Sequence, residues 1–232
     1  AKNNWDYKQA KNLITKLTKD GWLVRIKRGL YTISELSNRG FLSLSSYLVA
    51  NLLVKDSYVS FESALQYHSM FDQLMNKITS VSLKAHKAVK LNNMEYNFVK
   101  TKNDLYFGYE EAVIDNKISQ IATAEKALID IVNFHKSKLN IDVVIEKIIN
   151  YKQDLNFNHF NEYLTKFSGA TIKIFGLIFD FLNIDSTRLH ELIKNKRGTN
   201  WMLTGDKKFN AKWRLYYDEY FDQYKIWSLA NN

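Results

Sequence analysis

The sequence contains neither cysteine nor proline among its 232 residues. Without cysteine, the chain has no disulfide and no thiolate metal site, and its composition gives no reason to expect an oxidising compartment. The absence of proline removes a common sequence mark of domain boundaries. Boundaries must therefore be inferred from glycine, asparagine and changes of periodicity.

Long apolar runs are also missing. The longest, residues 172–184, is interrupted by Lys173 and Asp180, so it is too short and too charged to cross a bilayer. We therefore expect no membrane partner and a cytoplasmic location. Because 46% of the residues are hydrophobic and 14% are aromatic, the chain can bury a substantial core and does not belong to the disordered class.

Acidic residues are in deficit, with 24 Asp and Glu against 33 Lys and Arg, which gives a net charge of +9. This balance favours an anionic partner, either nucleic acid or an acidic protein surface. Lysine greatly outnumbers arginine, and lysine attracts phosphate as a point charge, whereas arginine reads bases through paired hydrogen bonds. We expect an interface dominated by phosphate contacts, with few residues supplying sequence specificity.

The first 33 residues carry most of this excess charge. Apolar residues recur at helical spacing from Ala10 to Leu17, which predicts a helix over residues 5–20. Gly21 ends that helix, and residues 22–33 predict two short strands joined by a turn. Up to residue 31 the basic residues are Lys2, Lys8, Lys11, Lys16, Lys19, Arg25, Lys27 and Arg28, and the acids are Asp6 and Asp20.

A basic helix followed by a basic hairpin is typical of a winged helix-turn-helix, whose helix enters the major groove while the hairpin touches flanking phosphates. The two helices that normally precede a recognition helix are not in the sequence, so the predicted DNA-binding domain, residues 1–36, is N-terminally incomplete. A solvated amphipathic helix beside an ordinary hairpin is the alternative. The predicted DNA-contacting residues are Lys8, Gln9, Lys11, Asn12 and Lys16 on the helix and Arg25, Lys27 and Arg28 on the hairpin.

Residues 37–232 predict a larger mixed α/β domain with a helical C-terminal half, so the fold class is α+β. Predicted helices cover residues 42–54, 61–70, 124–136, 142–151, 158–167, 171–182 and 186–194, and predicted strands cover 58–60, 76–84, 94–100, 105–109 and 117–121. Ser60 and Thr123 stand where an N-cap is expected.

Two groups of residues resemble parts of enzyme sites. Ser60, Ser63, Tyr67 and His68 offer nucleophile and base types, but no third orienting group stands at matching spacing. A metal-dependent nuclease is the enzyme alternative, because Mg²⁺ is commonly held by carboxylates near a lysine. The residues behind that alternative are Glu110, Glu111, Asp115 and Lys117. We expect the chain not to be an enzyme, with no catalytic residue, metal site or cofactor.

A second basic cluster lies near the C-terminus. Its members are Lys194, Lys196, Arg197, Lys207, Lys208, Lys212 and Arg214, and Trp201, Phe209, Trp213, Tyr216 and Tyr217 are interleaved with them. Basic groups beside stackable rings suit nucleic acid binding. They equally suit an edge strand whose lysines are solvated.

Three stretches, in order, resemble the AbiEi family of bacterial antitoxins. Residues 21–31 (GWLVRIKRGLY) resemble its closing hairpin, and residues 58–68 (YVSFESALQYH) resemble its strand-to-helix motif with a Tyr-His pair. Residues 121–130 (IATAEKALID) resemble its Ala-x-x-Glu-Lys-Ala-Leu-x-Asp motif. Asn116 is a departure, because many relatives have glycine at that turn. Asparagine tolerates the same left-handed backbone.

The resemblance implies an antitoxin of a type IV toxin–antitoxin system, which confers phage resistance by abortive infection. It implies that the N-terminal domain binds inverted repeats in operator DNA and represses its own operon. It also implies that the larger domain counteracts a nucleotidyltransferase-like toxin, which does not require a stable complex, and the second basic cluster is our candidate for that partner surface. We expect a monomer or weak dimer, with two copies side by side on the repeats. A transcriptional regulator without a toxin partner is a further alternative.

Overall fold

The computed structural model describes residues 6–37, 39–196 and 198–225. The fold is α+β, as the sequence predicts. The described residues divide into two compact units. The first holds the residues up to Val59 together with 74–100 and 111–121, and the second holds 60–73, 101–110 and the chain from Ala122 onward. The boundary predicted after residue 36 lies inside the first unit. Within the described ranges, no helix combines the length and apolar character needed to cross a bilayer.

The first unit begins with a helix and a hairpin and continues into a mixed sheet. Its elements are α1 (Tyr7–Lys19), β1 (Leu23–Lys27), β2 (Leu30–Ile33), α2 (Ser46–Leu53), β3 (Ser57–Val59), β4 (Lys77–Ser82), β5 (Val89–Leu91), β6 (Met94–Lys100), β7 (Tyr109–Ile114) and β8 (Lys117–Ala122). The predicted hairpin and the predicted strand over 94–100 are confirmed. Among the described residues one helix precedes the hairpin, so the partial winged helix-turn-helix stays a prediction.

Strands β3 to β8 form a six-stranded sheet in the order β5-β6-β4-β3-β8-β7. β4 runs parallel to β6 and antiparallel to β3, while β3 runs parallel to β8. The sheet centre is apolar: Tyr58, Val59, Ile78 and Val81 are each at most 1% exposed. The non-sequential strand order means that the sheet depends on contacts between residues far apart in the chain.

The start of helix α2 is tied to this sheet by a side chain of the β7–β8 hairpin. The Asp115 carboxylate accepts a hydrogen bond of 2.6 Å from the Ser45 backbone N–H, directly before the helix. This contact explains why α2 begins at Ser46 and not at residue 42, as predicted. Asp115 and Asn116 both have positive φ, 50° and 57°, so Asn116 adopts the left-handed backbone that the sequence suggested.

Burial of Tyr96 in β6 predicts an alkaline loss of stability. Burial raises the pKa of Tyr96 to about 12 from 10.0, and the side chain is 1% exposed. Above pH 10 the unfolded chain loses this proton while the folded chain keeps it, so the free energy of unfolding falls as pH rises from about 10 to 12. We expect Tyr96→Phe to remove about 2–3 kcal/mol of that fall in urea titrations. Tyr7→Phe, which alters an 82% exposed ring, is the matched control for the loss of a tyrosine hydroxyl.

The second unit is mostly helical and ends in a small sheet. Its elements are α3 (Phe61–Tyr67), α4 (Ala124–Phe134), α5 (Lys138–Asn150), α6 (Phe157–Leu164), α7 (Gly169–Phe181), α8 (Thr187–Ile193), β9 (Asn200–Trp201), β10 (Lys208–Asn210) and β11 (Leu215–Tyr217). Every residue of α4 from Ala124 to Val132 is buried, which makes this helix the centre of the unit. The predicted N-cap at Thr123 is confirmed, since its hydroxyl accepts from the Lys126 N–H at 3.3 Å.

Two local predictions in this part of the chain are wrong. Residues 105–109 were expected as a strand, but a short 3₁₀ helix covers Asn103–Leu105 and β7 starts only at Tyr109. The alternating aromatic side chains reflect packing, because the Phe107 ring contacts the rings of Tyr163 and Phe167 at 5.3 and 6.0 Å. The helix expected over 61–70 stops at Tyr67, and Ser69 has a positive φ of 59° just beyond it.

The end of the second unit is fixed to α7 by Trp213. A Cβ atom at Gly176 would lie 2.2 Å from the Trp213 ring, so only glycine admits this fully buried indole. The indole N–H donates to the Asp180 carboxylate at 2.6 Å. The same carboxylate accepts from Ser186 at 2.6 Å and from Lys212 at 2.7 Å. Residues that are far apart in the chain thereby hold the small sheet against the helices.

Candidate nucleic-acid interface

Helix α1 presents its basic side chains to solvent. Lys8, Asn12 and Lys19 recur at spacings of four and seven residues, which places them on one face. These three residues, and Lys11 and Lys16, are all exposed. No residue of α1 is buried, and even Leu13 on the opposite face is 37% exposed. The helix therefore offers most of its length to a partner.

The hairpin after α1 is anchored from one face only. Val24 and Ile26 on β1 are buried, at 7% and 5% exposure, so Arg25 between them points outward and is exposed. Arg28 is exposed at the turn, next to Gly29, which has a positive φ of 76°. The hairpin thus holds two guanidinium groups in solvent on a backbone that the core fixes.

Packing at the base of the hairpin sets the angle at which it leaves α1. Gly21, with a φ of 76°, turns the chain and accepts a backbone hydrogen bond of 3.0 Å from Gly40. The Arg39 guanidinium lies over the Trp22 ring at 4.1 Å. Ser34 is buried and its hydroxyl donates to the Phe41 carbonyl at 3.1 Å. Arg39 and Trp22 were not predicted from the sequence, because a cation–π pair between residues so far apart in the chain becomes visible only in the fold.

Two of the predicted DNA-contacting residues already have partners within the unit. The Lys27 ammonium is half-buried and donates to the Leu53 carbonyl at 3.1 Å, at the C-terminal end of α2. The Gln9 side-chain oxygen accepts from the Asp6 backbone N–H at 3.3 Å, which helps to cap α1. Lys27 and Gln9 must therefore give up these hydrogen bonds before their side chains can contact DNA. The other six predicted residues are exposed.

The second basic cluster is only partly available for a partner. Lys194, Lys196 and Lys207 are exposed. Lys208 forms an ion pair with Asp222, and Lys212 forms one of 2.7 Å with Asp180. The Arg214 guanidinium donates to the Lys196 carbonyl at 3.2 Å. Arg197 lies outside the described residues.

The aromatic residues of this region divide between the two faces of the small sheet, whose strand order is β10-β11-β9. Trp213 and Tyr217 are buried, at 0% and 2% exposure. Phe209 pairs with Tyr216, and Tyr216 pairs with Trp201, so one ring from each strand lies in a single cross-strand line. We call Phe209, Tyr216 and Trp201 the aromatic row.

Lys173 was not identified from the sequence as a residue that positions this region. It is 1% exposed inside α7, and its ammonium donates to the Gly198 carbonyl and, at 2.8 Å, to the Asn200 side-chain oxygen. Burial lowers the pKa of Lys173, and the nearby charges of Arg214 and Lys196 lower it further. A lysine inside an otherwise apolar helical run is the signal that indicates such a buried contact.

The Ala-x-x-Glu-Lys-Ala-Leu-x-Asp stretch builds a buried polar network. The Lys126 ammonium lies 2.5 Å from Asp130 Oδ1, and both side chains are 0% exposed. The Ser60 hydroxyl donates to Asp130 Oδ2 at 2.7 Å. Ser60 occupies the N-cap position of α3, but its side chain makes no capping bond, so the predicted capping role is wrong. Because no group of this network reaches solvent, the network holds α3 and α4 together and offers nothing to a substrate.

The charged groups of Lys126 and Glu125 have different partners. Burial lowers the pKa of Lys126, and the charge of Asp130 opposes that effect. Its ammonium also lies 5.2 and 5.5 Å from the Phe107 and Phe167 ring centres. The Glu125 carboxylate accepts from the Asn156 N–H at 2.7 Å, ahead of α6. Glu125 and Lys126, like Asp130, therefore have their polar partners within the second unit.

The residues behind the nuclease alternative are not gathered into a metal site. Asp115 is engaged with the Ser45 N–H, and Glu110, Glu111 and Lys117 are exposed. In the described part of the chain, no cluster of three or more His, Asp or Glu side chains could hold a metal ion. His68 of the Tyr-His pair contacts the Ala122 carbonyl through Nε2 at 2.8 Å.

Comparisons with known proteins support the fold alone. No protein-family model matches the chain, and no curated protein matches it in sequence. The structure is similar to the crystal structure of the RV2827C protein from Mycobacterium tuberculosis, with a TM-score of 0.61 over 98% of this chain and 84% of that one. At 11% sequence identity, this similarity shows a shared architecture.

Proposed function

We propose that this chain is the antitoxin of a type IV toxin–antitoxin system that provides phage resistance by abortive infection. In this proposal, it neutralises a nucleotidyltransferase-like toxin in the cytoplasm and represses its own operon by binding DNA. The DNA-binding part rests on the exposure of Lys8 and Lys11 on α1, and of Arg25 and Arg28 on the hairpin. Buried Val24 and Ile26 fix the hairpin backbone.

The proposed binding mode assigns different tasks to the helix and the hairpin. Asn12 lies on the exposed face of α1 with Lys8, so the amide can pair with an adenine edge while the ammonium meets a phosphate. Arg25 and Arg28 are placed to contact phosphates flanking the groove. Inverted repeats require two copies of the chain, bound side by side as monomers or as a weak dimer.

The antitoxin part of the proposal depends on the three ordered motifs and on the second basic cluster. Lys194, Lys196 and Lys207 remain exposed there and would meet an acidic toxin surface or the toxin's nucleotide substrate. In the Ala-x-x-Glu-Lys-Ala-Leu-x-Asp motif, the Lys and the Asp form the buried pair Lys126–Asp130, so these two positions serve the fold. Neutralisation in this proposal needs no catalytic residue in this chain.

A mobility-shift titration on the DNA upstream of the operon tests the repressor part. With about four phosphates neutralised, we expect the affinity to fall about 10²-fold between 50 and 200 mM salt, a log–log slope near −4. Scrambled DNA of equal length should bind more weakly at every salt concentration. A shift that is absent or insensitive to salt would contradict the repressor assignment.

Co-expression with the neighbouring toxin gene tests the antitoxin part separately. We expect the chain to restore growth of cells that express the toxin. An Arg25→Gln, Arg28→Gln double variant, expressed from an unrelated promoter, should restore growth equally well, because neutralisation does not depend on operator binding. Failure of the unaltered chain to restore growth would remove the antitoxin assignment. The regulator without a toxin partner would then be the remaining candidate.

A further inference from the structure

The aromatic row lies on the outer face of the small sheet. Trp201 is 50% exposed and Phe209 is 47% exposed, with half-buried Tyr216 between them. The Trp201 and Tyr216 ring centres are 5.3 Å apart with planes 13° apart, and the Phe209 and Tyr216 centres are 5.0 Å apart. Three neighbouring rings thus form a continuous surface, while Leu215 and Tyr217 on β11 face inward and are buried.

Cations border this surface, and three of the four nearby acids have bonding partners. The fourth, Glu219, is exposed and lines a cavity with Lys207. Lys207 lies two residues before Phe209, and the Lys136 ammonium donates to the Trp201 carbonyl at 3.4 Å. Between residues 194 and 217 the one acid is Asp206, whose carboxylate accepts from the Leu203 N–H at 2.6 Å. Asp218 pairs with Lys138 at 2.8 Å, and Asp222 pairs with Lys208 and Lys225.

We propose that the aromatic row binds single-stranded nucleic acid, with bases stacked on Trp201 and Phe209 and phosphates held by Lys207 and Lys136. Exposed rings on successive strands accept bases of any sequence, because every base has a π face. Cations beside the rings supply the attraction for the backbone. The large apolar side chains exposed on β9–β11 are aromatic and not aliphatic, which favours bases over an apolar protein surface.

This inference is independent of the operator-binding proposal, since it uses residues of the second unit alone. Fluorescence anisotropy with labelled 12-mers of deoxythymidine and of uridine tests it with the full chain. We expect a Kd on the order of 1–100 µM at physiological salt, and weaker binding to a duplex of equal length that is unrelated to the operator. Absence of binding to both 12-mers would overturn the proposal.

Ring substitutions make the test specific. Trp201→Ala and Phe209→Ala should each weaken binding by about 10-fold or more, while Trp201→Phe keeps a ring and should stay within about 3-fold. Tyr67→Ala, which removes a 40% exposed ring of α3, should bind as the unaltered chain does. Thermal melts of each variant verify folding, which should be retained because the substituted rings are exposed.

A second measurement distinguishes binding by base stacking on Trp201 from binding by charge attraction alone. Bases that stack on Trp201 quench its fluorescence, so part of the quenching should disappear in Trp201→Phe although anisotropy still reports binding. The Arg25→Gln, Arg28→Gln variant should bind the 12-mers normally, and Trp201→Ala should bind operator duplex normally. Unchanged affinity in both Trp201→Ala and Phe209→Ala, or unchanged quenching in Trp201→Phe, would overturn the proposal whatever happens at the operator.

Discussion

Asp130→Asn is expected to lower the free energy of unfolding by about 3–5 kcal/mol. The substitution removes the negative charge but keeps the shape of the side chain, so Lys126 remains in a fully buried site without its counter-charge. Globular proteins have only about 5–15 kcal/mol of stability, so this loss removes a large share of it. Urea unfolding followed by tryptophan fluorescence, to which buried Trp213 contributes, and by circular dichroism measures the change.

A double-mutant cycle separates the ion pair from the space that it occupies. The double variant Lys126→Met, Asp130→Asn should lose less stability than the sum of the losses in the two single variants, because no unpaired charge remains. Lys138→Met is the matched control, since it breaks an exposed pair with Asp218 and should cost about 1 kcal/mol or less. Equal losses for Asp130→Asn and Lys138→Met would contradict the assignment of Lys126 and Asp130 as a buried structural pair.

Operator binding by an Arg25→Gln, Arg28→Gln double variant is expected to fall about 10- to 100-fold at physiological salt. Both side chains are exposed on the hairpin, so their loss removes two phosphate contacts and leaves the core intact. The slope of log K against log salt concentration should become shallower by about 2. The free energy of unfolding should change by no more than about 0.5 kcal/mol, as for other exposed substitutions. Mobility shifts at several salt concentrations measure the affinity and the slope.

Two single variants sharpen this result. Lys90→Gln alters an exposed lysine on β5 of the same unit and should leave affinity and slope unchanged. Lys27→Gln should act mainly on stability, because the Lys27 ammonium is hydrogen-bonded to the Leu53 carbonyl. If Lys90→Gln weakens binding as strongly as the hairpin variant does, net charge and not the hairpin would account for DNA binding.

The local features of the fold were predictable because they depend on neighbouring residues. Gly21 and Gly29 mark the hairpin through their positive φ, which other residues rarely adopt. The helix over Ala124–Phe134 follows from its apolar periodicity and from Thr123 at the N-cap. The strand over residues 105–109 was predicted wrongly, since the alternating rings there pack on residues far along the chain. Periodicity records burial and does not say which element produces it.

The candidate surfaces could likewise be predicted from the sequence only in part. Exposure of Lys8, Lys11 and Arg28 could be expected from their polar face and turn positions. The engagement of Lys212 could not, because its partner Asp180 lies 32 residues earlier. The aromatic row could be recognised only in the structure. The sequence shows that the rings lie within a short segment, but only the strand register aligns Phe209, Tyr216 and Trp201 on one face.

The sequence alone determined the net positive charge, the α+β class and the helix–hairpin order at the start of the chain, because composition and short-range periodicity carry that information. The tertiary structure alone decided which charges are buried or paired, such as Lys126 with Asp130, and which side chains share a face. These outcomes depend on packing between segments distant in the chain. Burial and pairing are properties of the assembled core and not of any one stretch of residues.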